Sequence, residues 1–255
     1  DGIDLFRGRA VAAKKSAAGD GVILTAKGKE EKTFTCSVLL VASGRRPHTS
    51  HMNLEAAGVQ VDTRSRLIVV NKQLQTTAEH IYAAGDCCTL QQFTHYAGIM
   101  GFWAARNLLL PGSGVPTHVV PRVTFTSPEV ASVGMTEEEA RSALGDSLRV
   151  ASLPNSHNER AICEGDLHGF TDVFLDKKGF IVGATLVCNR AGEMLTELLV
   201  AMEKKVPFTQ LSWTHVIHPY PTYSFSMMML ASDVLREDFD KSMAGRMSKW
   251  LVARS

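Results

Sequence analysis

Ile81-Tyr82-Ala83-Ala84-Gly85-Asp86, followed eight residues later by Thr94-His95-Tyr96 and an apolar run to Leu110, is the stretch on which the reading of this chain turns. A short apolar run closed by Gly-Asp reads as a buried strand that delivers one carboxylate to its own carboxyl end. In an open parallel sheet the ligand crevice lies outside the carboxyl ends of the strands, where an Asp accepts hydrogen bonds from sugar-like hydroxyls. A helix start close behind supplies free backbone N–H groups and a partial positive charge suited to an electron-rich ligand edge. The plainer alternative is a Gly-Asp turn that caps the next helix.

Working upstream, Val38 to Gly44 is a second apolar strand, ending at Gly44-Arg45-Arg46-Pro47. Two buried strands with short turns at their carboxyl ends suit a doubly wound sheet. Before them, Ile3 to about Arg46 alternates short strands with turns. Downstream, a helix from Tyr96 to Leu110 runs into Pro111-Gly112-Ser113-Gly114, whose turn-forming residues end it and make a linker. Beyond the linker, Thr136 and Glu139 form a capping box that starts a helix behind the strand Ala131 to Met135. Gly169 to Asp176 and Phe180 to Cys188 pair as a hairpin over Lys177-Lys178-Gly179. Met194, Leu198 and Met202 recur at helical spacing in Ala191 to Lys205.

The composition, 45% hydrophobic with a net charge of +1 over 255 residues, permits a substantial core in one or two domains. The near-neutral balance gives no support for nucleic-acid binding. No run reaches the roughly 18 apolar residues of a membrane span. The five cysteines are too scattered for a disulfide framework, and none has a partner at C-x2-C spacing, so no metal site is expected. Cys87-Cys88 stands apart: vicinal thiols bind soft metals or shuttle electrons, yet free Cys is also a common small core residue, and adjacent residues at a strand end point in opposite directions. The tail from Asp240 to Arg254 sets Met243, Met247, Trp250 and Leu251 at helical spacing, which reads as packing on its own domain.

VASGRRP (41–47), LEAAGVQVD (54–62), TTAEHIYAAGDCC (76–88) and PRVTFTSPEVASVGMTEEEA (121–140) together resemble the flavin-dependent pyridine nucleotide-disulfide oxidoreductases, from about Gly2 to Leu230. The resemblance implies an α/β and α+β chain, the end of a doubly wound FAD/NAD(P)-binding domain followed by an α+β dimerisation domain. Its expected sections are residues 1–47 from the NAD(P) domain, 48–115 from the FAD domain, 116–237 for dimerisation and a helical tail at 238–255. It implies FAD and NAD(P)H as cofactors. Gly85 and Asp86 would meet the ribityl chain, Thr94, His95 and Tyr96 would present backbone N–H groups to the flavin edge, and Ala42, Ser43, Gly44 and Arg45 would border the nicotinamide nucleotide. That family opens with a G-x-G-x-x-G turn, a C-x4-C redox pair and a second glycine-rich turn. Here Gly19-Asp20-Gly21 and Gly112-Ser113-Gly114 are the only G-x-G matches, and neither leads from an apolar strand into a helix. With its start at Asp1, the chain reads as the carboxyl-terminal half of a longer intracellular protein, of the cytoplasm or an organelle matrix.

Thr214 to Phe225 is where the resemblance concentrates the chemistry. Disulfide reductases of the family carry H-x-H-P-T-x-x-E there, with the second His as proton relay to the partner subunit's cysteines. Matching Pro221-Thr222 to that motif places Tyr220 at the His and Phe225 at the Glu, so the acid-base dyad is expected to be absent. A phenol with a pKa near 10 is a poor general base. Tyr220, His218-Pro219-Tyr220-Pro221-Thr222 and Ala191-Gly192-Glu193-Met194 resemble the mercuric reductase branch, where the Tyr helps hold a soft metal; Phe225 and Asp172 depart from it. His218, two positions away in an extended segment, is expected to share Tyr220's face. The implied protein is a homodimeric oxidoreductase with a small-molecule or metal-ion acceptor. The alternatives are a non-catalytic dimerisation module and a flavin-dependent reductase of quinones.

Overall fold

The structure, a computed structural model, describes residues 2–17 and 19–252. Its contacts divide into two compact units, residues 1–46 and 47–255. The first is a three-stranded antiparallel meander of β1 (Arg9–Lys15), β2 (Val22–Lys27) and β3 (Glu31–Cys36). Phe6 closes edge-to-face on Phe34 at 5.4 Å, and Ala26 is buried. The expected strand at Val38 to Gly44 does not form, and Val38, Leu40 and Val41 are 80%, 86% and 74% exposed. An apolar parallel strand needs a hydrogen-bonded neighbour and cover on both faces. The three strands of this unit pair with one another in the order β1-β2-β3, and none takes residues 38–44 as a neighbour.

The second unit opens with an irregular stretch stitched by single bridges, Val61 to Ile68, Val70 to Thr76 and Gln75 to Tyr82. The expected IYAAGD strand is corrected here: Tyr82 makes one bridge, Ala83 N–H donates to Leu74 O, and Gly85–Cys87 turns as a 3-10 helix. Helix α1 (Thr94–Leu109) follows, with Tyr96, Met100, Ala104 and Asn107 buried along one stripe. Val59, Ile68 and Ala83 form one small core, and Leu74, Tyr96, Met100, Ala104 and Val120 form another.

The linker that ends α1 is held by a fully buried amide. Asn107 Nδ2 donates to Gln73 O at 3.2 Å and Gly114 O at 2.9 Å, while its Oδ1 accepts from Ser113 Oγ and from Gly114 N–H. Both ends of the side chain are therefore satisfied away from water, as burial requires.

Five antiparallel strands form the main sheet: β4 (Arg122–Thr124), β5 (Glu129–Gly134), β6 (Arg149–Pro154), β7 (Phe170–Leu175) and β8 (Ile181–Cys188), in the order β4-β5-β8-β7-β6. Helix α2 (Glu137–Leu144) starts at the expected capping box: Thr136 Oγ1 accepts from Glu139 N–H, and Glu139 accepts from Thr136 N–H at 2.8 Å. Helix α3 (Glu159–Glu164) is capped by Asn158, and α4 (Ala191–Glu203) follows the β7–β8 hairpin. Ala131, Val133, Val173, Leu175, Ala184 and Leu186 alternate toward a core completed by Leu195 and Leu198 of α4, Phe208, and Met227 and Val234 of α5 (Phe225–Lys241). Arg149 ties β6 to α5 through Glu237 and Asp238, each at 2.7 Å. Helix α6 (Met243–Val252) forms the tail, and α5 runs past residue 238 to reach it. The mixed α/β organisation and the helix-backed antiparallel sheet match the sequence reading.

Asn107→Ala leaves Gln73 O and the Gly114 backbone without their partner, and is expected to cost about 2–4 kcal/mol, whereas Ser113→Ala removes one bond and costs about 1 kcal/mol or less. Urea unfolding followed by circular dichroism measures both, and equal midpoints would exclude Asn107 as the stabilising group.

Candidate functional site

Gly85, Asp86 and the Thr94 to Tyr96 helix start come together, whereas His218 and Tyr220 do not. Gly85 adopts φ +80 against α1, where an added Cβ would stand 3.0 Å from Ala97 Cβ, so the turn can press on the helix only with glycine at this position. The turn leaves Asp86 exposed. Helix α1 begins beside it at Thr94 with Phe93 as N-cap and no side chain capping its first N–H groups; Ala97 N–H is the first to find an intrahelical carbonyl. The side chains of His95 and Tyr96 are already engaged. His95 Nε2 donates to Pro121 O at 3.0 Å and its ring stacks on Phe93, and Tyr96 is buried, with its phenol pushed up by that burial and then by Cys88. What Thr94, His95 and Tyr96 offer a ligand is backbone N–H, beside one free carboxylate. That donor set fits a polyhydroxylated cofactor with an electron-rich ring edge.

Ala42, Ser43, Gly44 and Arg45 are exposed and lie outside any helix or strand, with Gly44 at φ +130. The expectation that Cys87 and Cys88 diverge is overturned. Cys87 ends a 3-10 turn and Cys88 caps it, rather than closing a strand, and both thiols fold back over the turn, Cys87 Sγ onto Ala84 O at 3.3 Å and Cys88 Sγ onto Gly85 O at 3.4 Å.

The Thr214 to Phe225 segment is positioned by α3, α4 and α5. Asn158, itself buried, donates from Nδ2 to Thr222 O, Tyr223 O and Ser226 Oγ, and accepts from Ala161 N–H. Tyr223 is buried and its hydroxyl donates toward Glu164 Oε2 at 3.0 Å and Asp166 Oδ2 at 3.2 Å. Burial first, and then these carboxylates, hold its phenol well above the ordinary value of 10.0. Next to this loop lies a cleft of about 440 Å³ lined by Arg160, Arg190, Glu193, Thr222 and Ser224.

His218 and Tyr220 do not share a face. The His218 side chain is 7% exposed and its Nε2 meets both oxygens of Glu197, at 2.9 and 3.0 Å, whereas Tyr220 is 65% exposed with its ring edge-to-face on Phe225 at 5.4 Å. The chain bends at Tyr220 and Pro221, so the two-residue rule for extended chain does not apply. A histidine–carboxylate pair is therefore present although none was expected; it is buried behind the loop and assembled from α4. Sequence reasoning missed Glu197, Asn158 and Tyr223. Asn158 had a legible signal, an Asn immediately before a short helix. Glu197 had a weaker one, a lone carboxylate between Leu195 and Leu198. Among the described residues no group of three or more His, Cys, Asp or Glu is placed to hold a metal, and no helix is long and apolar enough to cross a membrane.

A family model described as pyridine nucleotide-disulphide oxidoreductase matches residues 1–105, and one for the dimerisation domain of the same proteins matches residues 120–231. The chain belongs to the pyridine nucleotide-disulphide oxidoreductase family. It is 37% identical over 225 residues to a dihydrolipoyl dehydrogenase of Thermus scotoductus, covering 88% of this chain and 48% of the relative. It is 33% identical over 189 residues to a mercuric reductase of Shewanella putrefaciens, covering 73% and 33%. Among solved structures, LpdA of Mycobacterium tuberculosis superposes with a TM-score of 0.80 at 30% identity, over 91% of this chain and 50% of that one. The Cu(II) complex of the HOCl-induced flavoprotein disulfide reductase RclA of Escherichia coli gives 0.78 at 30% identity, over 90% and 51%. The chain thus spans about half the length of these structures. Pyridine nucleotide-disulphide oxidoreductases are FAD- and NAD(P)H-dependent enzymes. The relatives include both dihydrolipoyl dehydrogenases and mercuric reductases, so the family is assigned without its mercuric reductase branch.

A phenol raised in the folded protein contributes stability that is fully present below its unfolded value near pH 10 and is lost as pH rises through the folded value. The tyrosinate absorbance of the native chain is therefore expected to show a late phase above pH ~10 that Tyr223→Phe removes, with a shallower loss of stability on the alkaline side. An unchanged titration curve would exclude Tyr223 as the late group.

Proposed function

We propose that this chain is the part of an FAD-dependent NAD(P)H oxidoreductase that closes the flavin site and supplies the dimer surface. Electrons would pass from NAD(P)H through FAD to a disulfide, a metal ion or another acceptor. The observation that carries this reading is the uncapped start of α1 packed against the Gly85–Cys87 turn, which leaves Asp86 exposed. FAD, when bound, supplies the two-electron chemistry between nicotinamide and acceptor. Gly85 lets the backbone approach closely, Asp86 accepts hydrogen bonds from ribityl hydroxyls, and the N–H groups of Thr94, His95 and Tyr96 face the electron-rich ring edge. Ala42, Ser43, Gly44 and Arg45 border the nicotinamide nucleotide in this reading. In the full-length protein, Asp86→Ala is expected to remove a charge-assisted hydrogen bond of roughly 1.5–3 kcal/mol and to weaken FAD retention by about one to two orders of magnitude. Unchanged affinity on titration would reduce Asp86 to a turn residue.

The acceptor is held from the dimerisation domain of the partner subunit, with Tyr220 facing it. Trp213, Ile217 and Tyr220 lie 69%, 93% and 65% exposed along one segment, an apolar surface that marks an interface. An isologous dimer brings that segment of one subunit to the flavin of the other. His218 supports the loop from behind through Glu197, and Tyr220 with Phe225 offers an aromatic wall without a carboxylate or imidazole. This favours an acceptor that needs no proton relay at Tyr220, such as a soft metal ion, as in the mercuric reductase branch. Tyr220→Phe is expected to lower metal-dependent NAD(P)H oxidation while leaving flavin reduction intact. Mixing it with subunits disabled at the flavin-proximal cysteines tests the sharing of sites: half of the mixed dimers' sites should carry both lesions and half neither. Mixed dimers no more active than either parent, or a monomer in sedimentation, would overturn the arrangement.

A further inference from the structure

The turn that presents Asp86 also brings two thiols together. Cys87 and Cys88 each bond back to a carbonyl three residues earlier, Ala84 O and Gly85 O, so their side chains lie over one turn. The neighbouring Cys88 thiol draws Cys87 down to about 6, and Cys87 together with burial pushes Cys88 up. Both residues are partly exposed and rest against Val59, Ile68 and Ala83, with Cys88 also against Tyr96. The other three cysteines are elsewhere: Cys36 bonds to Val22 O, Cys163 is exposed on α3, and Cys188 is buried against Met194.

We propose that Cys87 and Cys88 form a chelating site for a trivalent, monosubstituted arsenical. The chemistry of the pair selects this ligand class over its rivals. A direct disulfide asks for a Cα separation of roughly 4.4–6.8 Å, whereas adjacent residues across a trans peptide stand about 3.8 Å apart, so closing the pair on itself is strained. A tetrahedral ion such as zinc needs further ligands, and none of the described residues completes such a group. A two-coordinate linear ion wants its sulfurs on opposite sides, which one tight turn does not provide. Pyramidal arsenic takes two neighbouring sulfurs at a narrow angle and keeps its organic group as the third substituent. Soft thiolate sulfur is its preferred donor.

The step is a ligand exchange. From the hydrated form of phenylarsine oxide, two As–O bonds break and two As–S bonds form. The two hydroxyls leave as water, one with the Cys88 thiol proton and one with a proton from solvent that replaces the one Cys87 has already released, arsenic stays trivalent, and no electrons move. The poised Cys87 attacks first, and Cys88 closes the ring at the high effective concentration set by its adjacency.

The experiment uses phenylarsine oxide and the purified 255-residue chain, with mass spectrometry for uptake and a thiol count before and after. One arsenical is expected per chain, with two thiols lost, reversed by a competing dithiol and not by an equal amount of monothiol. Cys87→Ser and Cys88→Ser should each weaken uptake by about 10² or more, whereas Cys36→Ser and Cys163→Ser should not change it. Vicinal thiols also chelate in an unfolded chain, so a second readout tests the folded turn. The native chain, whose turn holds both thiols over its own carbonyls, should therefore retain phenylarsine oxide against a competing dithiol at least ~10-fold better than the same chain in urea. Uptake that survives Cys87→Ser, loss of only one thiol, or retention in the native chain equal to that in urea would each overturn the proposal.

Discussion

Burial of a single face of the five-stranded sheet under α4 and α5 is the constraint from which the rest of the second unit follows. Ala131, Val133, Val173, Leu175, Ala184 and Leu186 supply that face, with Phe174 also buried where the β7–β8 register shifts, and Leu195, Leu198, Met227 and Val234 meet it from the helices. Each fully buried aliphatic side chain contributes on the order of 1.5–3 kcal/mol. Once α4 and α5 are fixed on the sheet, the chain between them has little freedom in where it can run. That connection contains Thr214 to Phe225.

Polar groups caught beneath this connection must find partners, because an unsatisfied buried group costs about as much as a good hydrogen bond gains. Asn158 answers for the carbonyls of Thr222 and Tyr223 and for Ser226, and Glu197 answers for Nε2 of His218, whose Nδ1 is buried without a partner among the described residues. The consequence for function is geometric. With His218 drawn inward and the backbone pinned at Thr222 and Tyr223, Tyr220 is left outside, where a partner or an acceptor can reach it. The buried pair thus positions the loop that carries Tyr220.

A similar logic operates in small at the Asp86 turn. Gly85 against Ala97 sets how closely the turn approaches α1, and that closeness leaves a carboxylate and uncapped N–H groups as neighbours. The same 3-10 turn folds Cys87 and Cys88 back onto its own carbonyls. One local backbone conformation therefore governs both the proposed cofactor contacts and the dithiol.

The sequence alone determined the elements whose causes are local: the Thr136–Glu139 capping box, the hairpin of β7 and β8, the stripes of α1 and α4, and the family resemblance carried by ordered motifs. Rules of period, capping and turn chemistry act over a few residues and so are legible without a fold. Tertiary structure decided what depends on partners far along the chain. Val38 to Gly44 is apolar enough for a strand, but strand formation needs neighbours that the first unit does not provide. His218 and Tyr220 part company because Glu197 lies 21 residues before His218, and Asn158 reaches across 64 to 68 residues to pin the same loop. Periodicity says which residues alternate, and only the satisfaction of buried polar groups says which of them turns inward.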